Sequence, residues 1–246
     1  MRLTTPALVV YLMAADDTPE LAEAAVRGGA TAIEIGIPYS DPLADGPTIQ
    51  RAGQRSLDAG MTPPKALAIL AEVDRRVDVP LIPMTYGAIV ESYGCERFCA
   101  DAARAGVEGL IVADVPPEES GALRAAAAAA GIDLVHLVAP TSRTERLHAA
   151  ASASRGFVYL VAAMGTTGAR EHLDDRLAGL IGVVKEAAGA TPVLAGFGIS
   201  RPEHVRAVLA AGADGVIVGS AAIDAADRGG AAALEEFIRS LSAALA

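Results

Sequence analysis

Lysine, cysteine and tryptophan are scarce or missing in this chain of 246 residues. The only lysines are Lys65 and Lys185, tryptophan is absent, and the formal net charge is −10. Basic residues are scattered rather than clustered, which disfavours binding to nucleic acid or to an anionic membrane surface. The sequence also has no P-loop lysine, so binding of a nucleoside triphosphate is not expected.

Metal-ligating clusters and long apolar runs are missing as well. Cys95 and Cys99 stand four residues apart with no histidine or cysteine cluster nearby, which favours two reduced thiols over a metal site. None of the four histidines falls at the C-terminal end of a predicted strand, so a histidine-ligated metal is not expected. Without a membrane-spanning run or a signal-peptide pattern, the sequence predicts a soluble, cytoplasmic protein.

Short apolar runs rich in β-branched residues recur eight times and alternate with alanine-rich segments. Because the runs are apolar on both faces, they are typical of a parallel sheet covered by helices. The predicted strands are Ala7–Met13, Ala32–Ile37, Val79–Met84, Gly109–Ala113, Asp133–Val138, Phe157–Ala162, Pro192–Ala195 and Gly215–Val218. The predicted helices include Pro19–Arg27, Pro63–Arg76, Cys95–Ala105, Glu118–Ala130, Glu145–Ala153, Leu173–Ala188 and Pro202–Ala211.

Eight βα units without a linker predict a single α/β domain over residues 1–246, a (β/α)8 TIM barrel. Three pieces of the chain, 27–32, 104–109 and 210–215, share a helix end, a glycine and a strand start, which supports a repeated architecture. A doubly wound open sheet is the alternative.

The segment from Ile33 to Pro47 holds the most informative polar residues. Glu34 stands in an apolar strand, where a buried carboxyl group has a raised pKa and suits acid–base work near neutral pH. Asp41 and Asp45 follow in a loop that contains three prolines. The alternative places Glu34 on the polar side of a half-exposed strand.

Other polar residues follow the predicted strands at their C-terminal ends, where TIM-barrel active sites lie. Tyr86 comes just after the third strand and Tyr159 lies within the sixth, so we expect both near Glu34 at the barrel mouth. Asp114 follows the fourth strand and either joins them or caps the next helix.

Glycine-rich loops follow the last three predicted strands, at Gly165–Gly168, Gly196–Ser200 and Gly219–Ser220. Glycine lets backbone N–H groups approach an anion, and the loops after strands seven and eight are the frequent phosphate site of TIM barrels. Tight turns without a ligand are the alternative. Because both lysines fall in predicted helices, a Schiff-base aldolase is disfavoured. The sequence thus predicts a metal-free lyase or isomerase acting on a phosphorylated small molecule.

The motif from Glu34 to Pro47 resembles the signature of the tryptophan synthase alpha subunit family. The similarity continues at Ala113–Pro116, Thr167–Gly168, Gly196–Ser200 and Gly219–Ser220. It implies a TIM-barrel lyase of tryptophan biosynthesis that cleaves indole-3-glycerol phosphate to indole and glyceraldehyde 3-phosphate by retro-aldol chemistry.

The resemblance also implies roles for individual residues. Glu34 matches the general acid–base, and Asp45 matches the residue that holds the indole N–H. The candidate substrate-binding residues are Tyr86, Tyr159, Thr167, Gly168, Gly198, Gly219 and Ser220. No metal or cofactor is implied for this chain. Pyridoxal phosphate is expected only in a partner beta subunit of an α2β2 complex, contacted partly through the loop that contains Asp41.

The chain departs from the family pattern in several loops. Ala14–Asp17 stands where a Gly-Asp pair is common, Gly87–Ala88 where an Asn is common, and Ala163–Met164 where many members have an arginine or a polar residue. The short helix that usually precedes the first strand is not expected. These departures leave the acid–base pair intact but bear on loop closure and on the partner surface. A stand-alone lyase and a weakly active binding or activating subunit are therefore kept as alternatives, and Gly165–Arg170 is predicted to close as a lid over substrate.

Overall fold

The computed structural model describes residues 1–42, 45–139, 141–161, 173–196 and 198–245, with the backbone alone at residues 173–176. Within these ranges the strands are β1 (Ala7–Met13), β2 (Ala32–Gly36), β3 (Leu81–Thr85), β4 (Gly109–Val112), β5 (Asp133–Val135), β6 (Leu137–Val138), β7 (Val158–Val161), β8 (Val193–Gly196) and β9 (Gly215–Val218). The helices are α1 (Thr18–Arg27), α2 (Pro47–Asp58), α3 (Pro63–Asp74), α4 (Gly87–Tyr93), α5 (Cys95–Arg104), α6 (Gly121–Ala129), α7 (Thr144–Ala153), α8 (Leu173–Ala188), α9 (Pro202–Ala210) and α10 (Ser220–Ser242).

The strands form one parallel sheet in the order β5-β4-β3-β2-β1-β9-β8-β7-β6. The two ends of this order, β5 and β6, are consecutive in the chain and separated only by His136. Together they occupy one strand position, so the sheet closes into a barrel with eight positions. The expected TIM barrel is confirmed.

The fifth strand position differs from the sequence prediction of one continuous strand over Asp133–Val138. The His136 amide donates to Ser154 Oγ at 3.0 Å instead of to a neighbouring strand. This side-chain hydrogen bond interrupts the ladder, so β5 pairs with β4 while β6 pairs with β7.

Alternation along each strand sorts side chains between two apolar layers. On β2, Ile33 and Ile35 face outward and belong to the large core between the sheet and the helices. Ala32 faces inward, and because the side-chain period of a strand is two, Glu34 faces inward as well. The inner layer below Glu34 is apolar and is built from Ala7, Val9, Ala32, Ile82, Ile111, Val135, Phe157, Leu194 and Ile217.

The three similar pieces found in the sequence share a backbone turn. Gly29, Gly106 and Gly212 follow α1, α5 and α9 with φ angles of 107°, 80° and 99°. This left-handed region is open to glycine at little cost, so each glycine ends its helix and turns the chain into the next strand.

Three helices outside the predicted set begin at or next to site residues, and one of them, α10, starts at Ser220. Helix α2 starts at Pro47, directly after Asp45 and Gly46, and α4 starts at Gly87, directly after Tyr86. Asp114 Oδ1 accepts a hydrogen bond of 2.6 Å from the Gly87 amide. Asp114 therefore caps α4 rather than the helix that follows it in sequence. Among the described residues, none of the helices has the length and apolar composition needed to cross a membrane.

Candidate active site

A cavity of about 510 Å³ opens at the C-terminal ends of the strands. Its wall includes Glu34 from β2, Asp45 from the loop before α2, and Tyr159 from β7. Gly198, Gly219 and Ser220 line it as well. The structure thus brings six of the residues singled out from the sequence into one cavity.

Glu34 is the most deeply buried acid of this cavity, with 0% of its surface exposed. Neither carboxyl oxygen has a hydrogen-bond partner within the described part of the chain. Burial raises the pKa of Glu34 to about 8, and the nearby Asp45 carboxylate adds to the rise. At neutral pH this carboxyl group is mainly protonated and can donate a proton.

Asp45 lies in a more polar setting than Glu34. Tyr86, buried at the end of β3, donates a hydrogen bond of 3.0 Å from its hydroxyl to Asp45 Oδ2. Burial raises the pKa of Asp45 and the Tyr86 hydrogen bond acts in the opposite direction. The Tyr39 ring lies 5.1 Å from the Tyr86 ring and connects this group to the outer loop. The two acids therefore have different environments, which is how carboxyl groups take different roles in one site.

Tyr11 on β1 and Tyr159 on β7 both face the cavity. Each lies beside a strand that ends in glycine, β2 at Gly36 and β8 at Gly196. A Cβ atom at Gly196 would lie 2.8 Å from Tyr159 Cε2, and one at Gly36 would lie 2.0 Å from Tyr11 Oη. Each glycine therefore leaves room for a tyrosine. Burial raises the pKa of both hydroxyls well above the usual value, with Asp45 and Glu34 contributing, so both stay protonated.

Tyr11 is a cavity residue that the sequence reasoning missed. It lies beside Glu34 in the register between β1 and β2. The inward alternation Ala7, Val9, Tyr11 is the signal that could have revealed it.

The other end of the cavity is formed by backbone and hydroxyl groups. Gly198 has a φ of 65°, and Ser220 is the first residue of α10, which has a kink at Gly229 and Gly230. The first N–H groups of α10 have no partner within the helix. The Asp224 carboxylate lines this end too. Thr167, Gly168 and the predicted lid Gly165–Arg170 lie outside the described residues.

Asp41, the candidate partner-loop residue, lies away from the cavity, and so does Lys185, which the sequence did not favour as a site residue. Asp41 is exposed on the loop after β2, where it accepts a hydrogen bond of 2.7 Å from Ser40 Oγ. Lys185 Nζ is 2.8 Å from Asp214 Oδ1, just before β9, at the opposite end of the barrel. In the described residues no group of three or more His, Cys, Asp and Glu side chains could hold a metal ion.

Comparison with known proteins identifies the family. The family model described as tryptophan synthase alpha chain matches residues 2–244. A tryptophan synthase alpha chain of Prochlorococcus marinus is 48% identical over 221 residues, which cover 88% of this chain and 80% of the relative. One from Picosynechococcus is 44% identical over an alignment of 248 positions, which covers 98% of this chain and 94% of the relative.

Solved structures agree with these relatives. A chain of the tryptophan synthase α2β2 complex from Pyrococcus furiosus superposes with a TM-score of 0.88 at 36% identity, covering 98% of this chain and 99% of that one. A chain of the aminoacrylate-bound tryptophan synthase from M. tuberculosis has a TM-score of 0.87 at 35% identity, with 98% and 93% covered. With this cavity, this fold and these relatives, the chain belongs to the tryptophan synthase alpha chain family.

Proposed function

We propose that this protein cleaves indole-3-glycerol phosphate to indole and glyceraldehyde 3-phosphate, as the alpha subunit of a tryptophan synthase. The observation that carries the proposal is Glu34, fully buried and without a hydrogen-bond partner among the described residues, beside the Asp45 carboxyl group in one cavity. A desolvated acid next to a better-solvated one provides both a proton donor and a stabiliser of positive charge.

The reaction follows from the protonation states of these two acids. Neutral Glu34 gives its proton to C3 of the indole, and the Asp45 carboxylate accepts the indole N–H and stabilises the positive charge on the ring. The Glu34 carboxylate then removes the proton of the adjacent glycerol hydroxyl. The bond between C3 and the side chain breaks, its electron pair neutralises the ring, and an aldehyde forms. Glu34 is protonated again, so the cycle consumes no proton.

The phosphate of the substrate is assigned to the opposite end of the cavity. Gly219 and Ser220 lead into α10, whose N-terminal amides favour an anion, and Gly198 brings a second loop to the same place. Asp224 opposes this charge, so direct amide contacts have to outweigh its repulsion. Thr167 and Gly168 are proposed to complete this subsite.

The proposed chemistry needs only side chains of this subunit, and the cofactor, pyridoxal phosphate, belongs to the partner. The partner is a tryptophan synthase beta subunit, which receives the indole and docks partly on the Asp41 loop. The tryptophan synthase complexes among the structural relatives support this assembly. A reducing compartment such as the cytoplasm suits Cys95 and Cys99, since both are free thiols.

Indole release from indole-3-glycerol phosphate tests the function directly. Glu34→Gln keeps the side-chain shape but removes the proton transfer, so kcat should fall by about 10²–10⁴-fold. Tyr93→Phe alters a tyrosine that bonds to Asp101 outside the cavity and serves as the matched control. Wild-type protein that releases no indole, with or without a beta subunit, would leave a binding or activating role. A Gln variant that keeps most of its kcat would remove Glu34 from the mechanism.

A further inference from the structure

The hydroxyl of Tyr11 occupies the space that a side chain at residue 36 would take. Tyr11 is paired in register with Glu34, and its side chain leans two residues further along β2 to lie over Gly36. A Cβ atom at Gly36 would lie 2.0 Å from Oη and 2.7 Å from Cζ of Tyr11. Such distances are far inside van der Waals contact, so this tyrosine and any larger residue at position 36 exclude one another in the present arrangement.

The Tyr11 ring has little freedom to move away from the cavity. It is 6% exposed and packs in a cluster with Ile49, Ala52 and Ile223, with Met84 partly buried against it. These neighbours come from α2, α10 and β3, so they close the outer sides of the ring. Tyr11 borders this cavity of about 510 Å³ and a second space of about 10 Å³, so the cavity is where a displaced ring has room.

Tyr11 lines the part of the cavity that contains the carboxyl groups of Glu34 and Asp45, and not only the part near Gly219 and Ser220. Asp45, Ile49, Met84 and Tyr11 form a wall shared by this cavity and a small space under Tyr39. Two of these residues are apolar and one is the acid assigned to the indole N–H. An aromatic ring whose N–H bonds to Asp45 would therefore lie against Tyr11, Ile49 and Met84.

We propose that the Tyr11 hydroxyl, which lies over Gly36, is a specificity-determining group. It limits the space beside Asp45, where the indole ring is proposed to bind, and so excludes indole rings that carry substituents. This inference rests on the proposed function and names which part of the substrate class is excluded. Tyr11→Phe leaves a gap of one hydroxyl group between the ring and Gly36. A substrate methyl group can enter that gap, whereas the wild-type wall rejects it.

The first test compares indole-3-glycerol phosphate with analogues that carry a methyl group at each benzo-ring carbon in turn. For each protein, the ratio of interest is kcat/KM for the methylated analogue divided by kcat/KM for the unsubstituted substrate. For at least one analogue this ratio should be at least about tenfold higher in Tyr11→Phe than in wild type, because one methylene in a pocket discriminates by 10–200-fold. Tyr93→Phe, the matched control outside the cavity, should leave every ratio within about twofold. Ratios for Tyr11→Phe that all stay within about twofold of wild type would overturn the proposal.

The second test probes the contact itself with a double-mutant cycle. Gly36→Ala should lower kcat/KM at least about tenfold when Tyr11 is present, because the new methyl group drives the ring into the cavity. In a Tyr11→Leu background, which removes both clashing atoms, Gly36→Ala should change kcat/KM less than about threefold. Gly121→Ala is the control, since a Cβ there meets nothing within 4 Å. Equal losses of kcat/KM in both backgrounds would show that Tyr11 and Gly36 are not coupled. If Gly36→Ala does not fold, the kcat/KM ratios measured for Tyr11→Phe in the first test decide the question.

Calorimetric binding of indole and of methylindoles separates this inference from the proposed function. Wild-type protein that cleaves the unsubstituted substrate supports the function whatever the Tyr11 variants do. If wild-type protein binds indole but does not cleave indole-3-glycerol phosphate, the proposed function is wrong, and the role of Tyr11 can still be tested. Tyr11→Phe should then raise the affinity for a methylindole, relative to that for indole, by at least about tenfold. Equal relative affinities in both proteins would end the inference.

Discussion

At the scale of single residues, the environment of Glu34 is predicted to set the pH range of the proposed reaction. Its pKa of about 8, raised by burial and by Asp45, makes the protonated carboxyl group the reactive form. We therefore expect kcat/KM for indole release to decrease as the pH rises through about 8, with no loss from this group on the acid side. Titration of the Glu34 carboxyl carbon by NMR, with Glu34→Gln as the blank, gives the same pKa independently. A carboxyl signal that titrates near 4.5, the ordinary value, would contradict the burial argument.

The same burial makes Glu34 costly for stability, and the sign follows from proton binding. Its pKa is 4.5 in a model compound and about 8 in the folded protein, so between these values the folded state binds more protons than the unfolded chain. The contribution of Glu34 to the free energy of unfolding is fully present below pH 4.5 and is lost as the pH rises toward 8. At pH 7 the loss is roughly 3 kcal/mol.

Glu34→Gln should therefore gain unfolding free energy relative to wild type as the pH is raised from 4 to 7, by up to roughly 3 kcal/mol. Urea unfolding at both pH values measures this difference. Glu236→Gln, which makes the same substitution at an exposed position on α10, is the matched control. A Glu34→Gln curve that parallels wild type at every pH would mean that Glu34 ionises as freely in the folded state as in the unfolded chain.

The sequence predicted some site residues and missed others for a physical reason. Glu34 was visible because one charged residue in an apolar run is unusual, and the strand period then dictates which face it takes. Tyr11 was missed because tyrosine is common in strands, so only its place in the inward alternation after Ala7 and Val9 marks it. Its position over Gly36 depends on the register between β1 and β2, which the sequence alone does not contain.

At the scale of elements, the loops after β8 and β9 are predicted to hold the phosphate through backbone amides. A Cβ at Gly219 would lie 3.7 Å from Ile49 Cδ1 and 3.8 Å from Tyr11 Cβ, so a single added carbon fits. The branched methyl groups of Gly219→Val would extend further and block the ligand's approach to the amides. We expect KM for indole-3-glycerol phosphate to rise at least about tenfold, because the loss of one hydrogen bond between an amide and the charged phosphate has an effect of this size.

Lys185→Ala is the matched control for this element. The Lys185 ammonium group pairs with Asp214 at the opposite end of the barrel, so KM should change less than about twofold although the melting temperature can fall. Steady-state kinetics of both variants decide the question. A larger rise in KM for Lys185→Ala than for Gly219→Val would mean that the phosphate is held elsewhere.

Element boundaries were predictable where the apolar pattern acts alone. Strands β1 and β9 and helix α8 begin and end at the residues predicted from the sequence. The fifth strand position was misjudged because a distant hydroxyl, Ser154 Oγ, takes the His136 amide. Helix α4 was missed for a similar reason, since its first amide is capped by Asp114 from another loop. Long-range hydrogen bonds of this kind leave no periodic signal in the chain.

At the scale of the whole molecule, the barrel was predictable because eight strand positions alternate with helices and the inner and outer layers follow from strand alternation. The closed sheet then places loops that are distant in sequence around one mouth. A chain of contacts runs across this mouth from the outer loop inward: the Tyr39 ring stacks against Tyr86, and Tyr86 bonds to Asp45. A protein that docks on the loop after β2 can therefore influence Asp45, the acid proposed to stabilise the reacting ring.

This connection predicts how the beta subunit affects catalysis. Adding a beta subunit should raise the rate of indole formation, and Asp41→Ala, on the exposed part of the same loop, should lower the ratio of the rates with and without the partner at least severalfold. Asp78→Ala is the control, since this exposed carboxylate precedes β3 at the opposite end of the barrel. The measurement is indole release at increasing beta-subunit concentration, which separates weaker docking, seen as a higher half-maximal concentration, from weaker activation, seen as a lower plateau. If Asp41→Ala and Asp78→Ala respond equally to the partner, the loop after β2 does not transmit its binding to the site, and the stand-alone lyase becomes the better description.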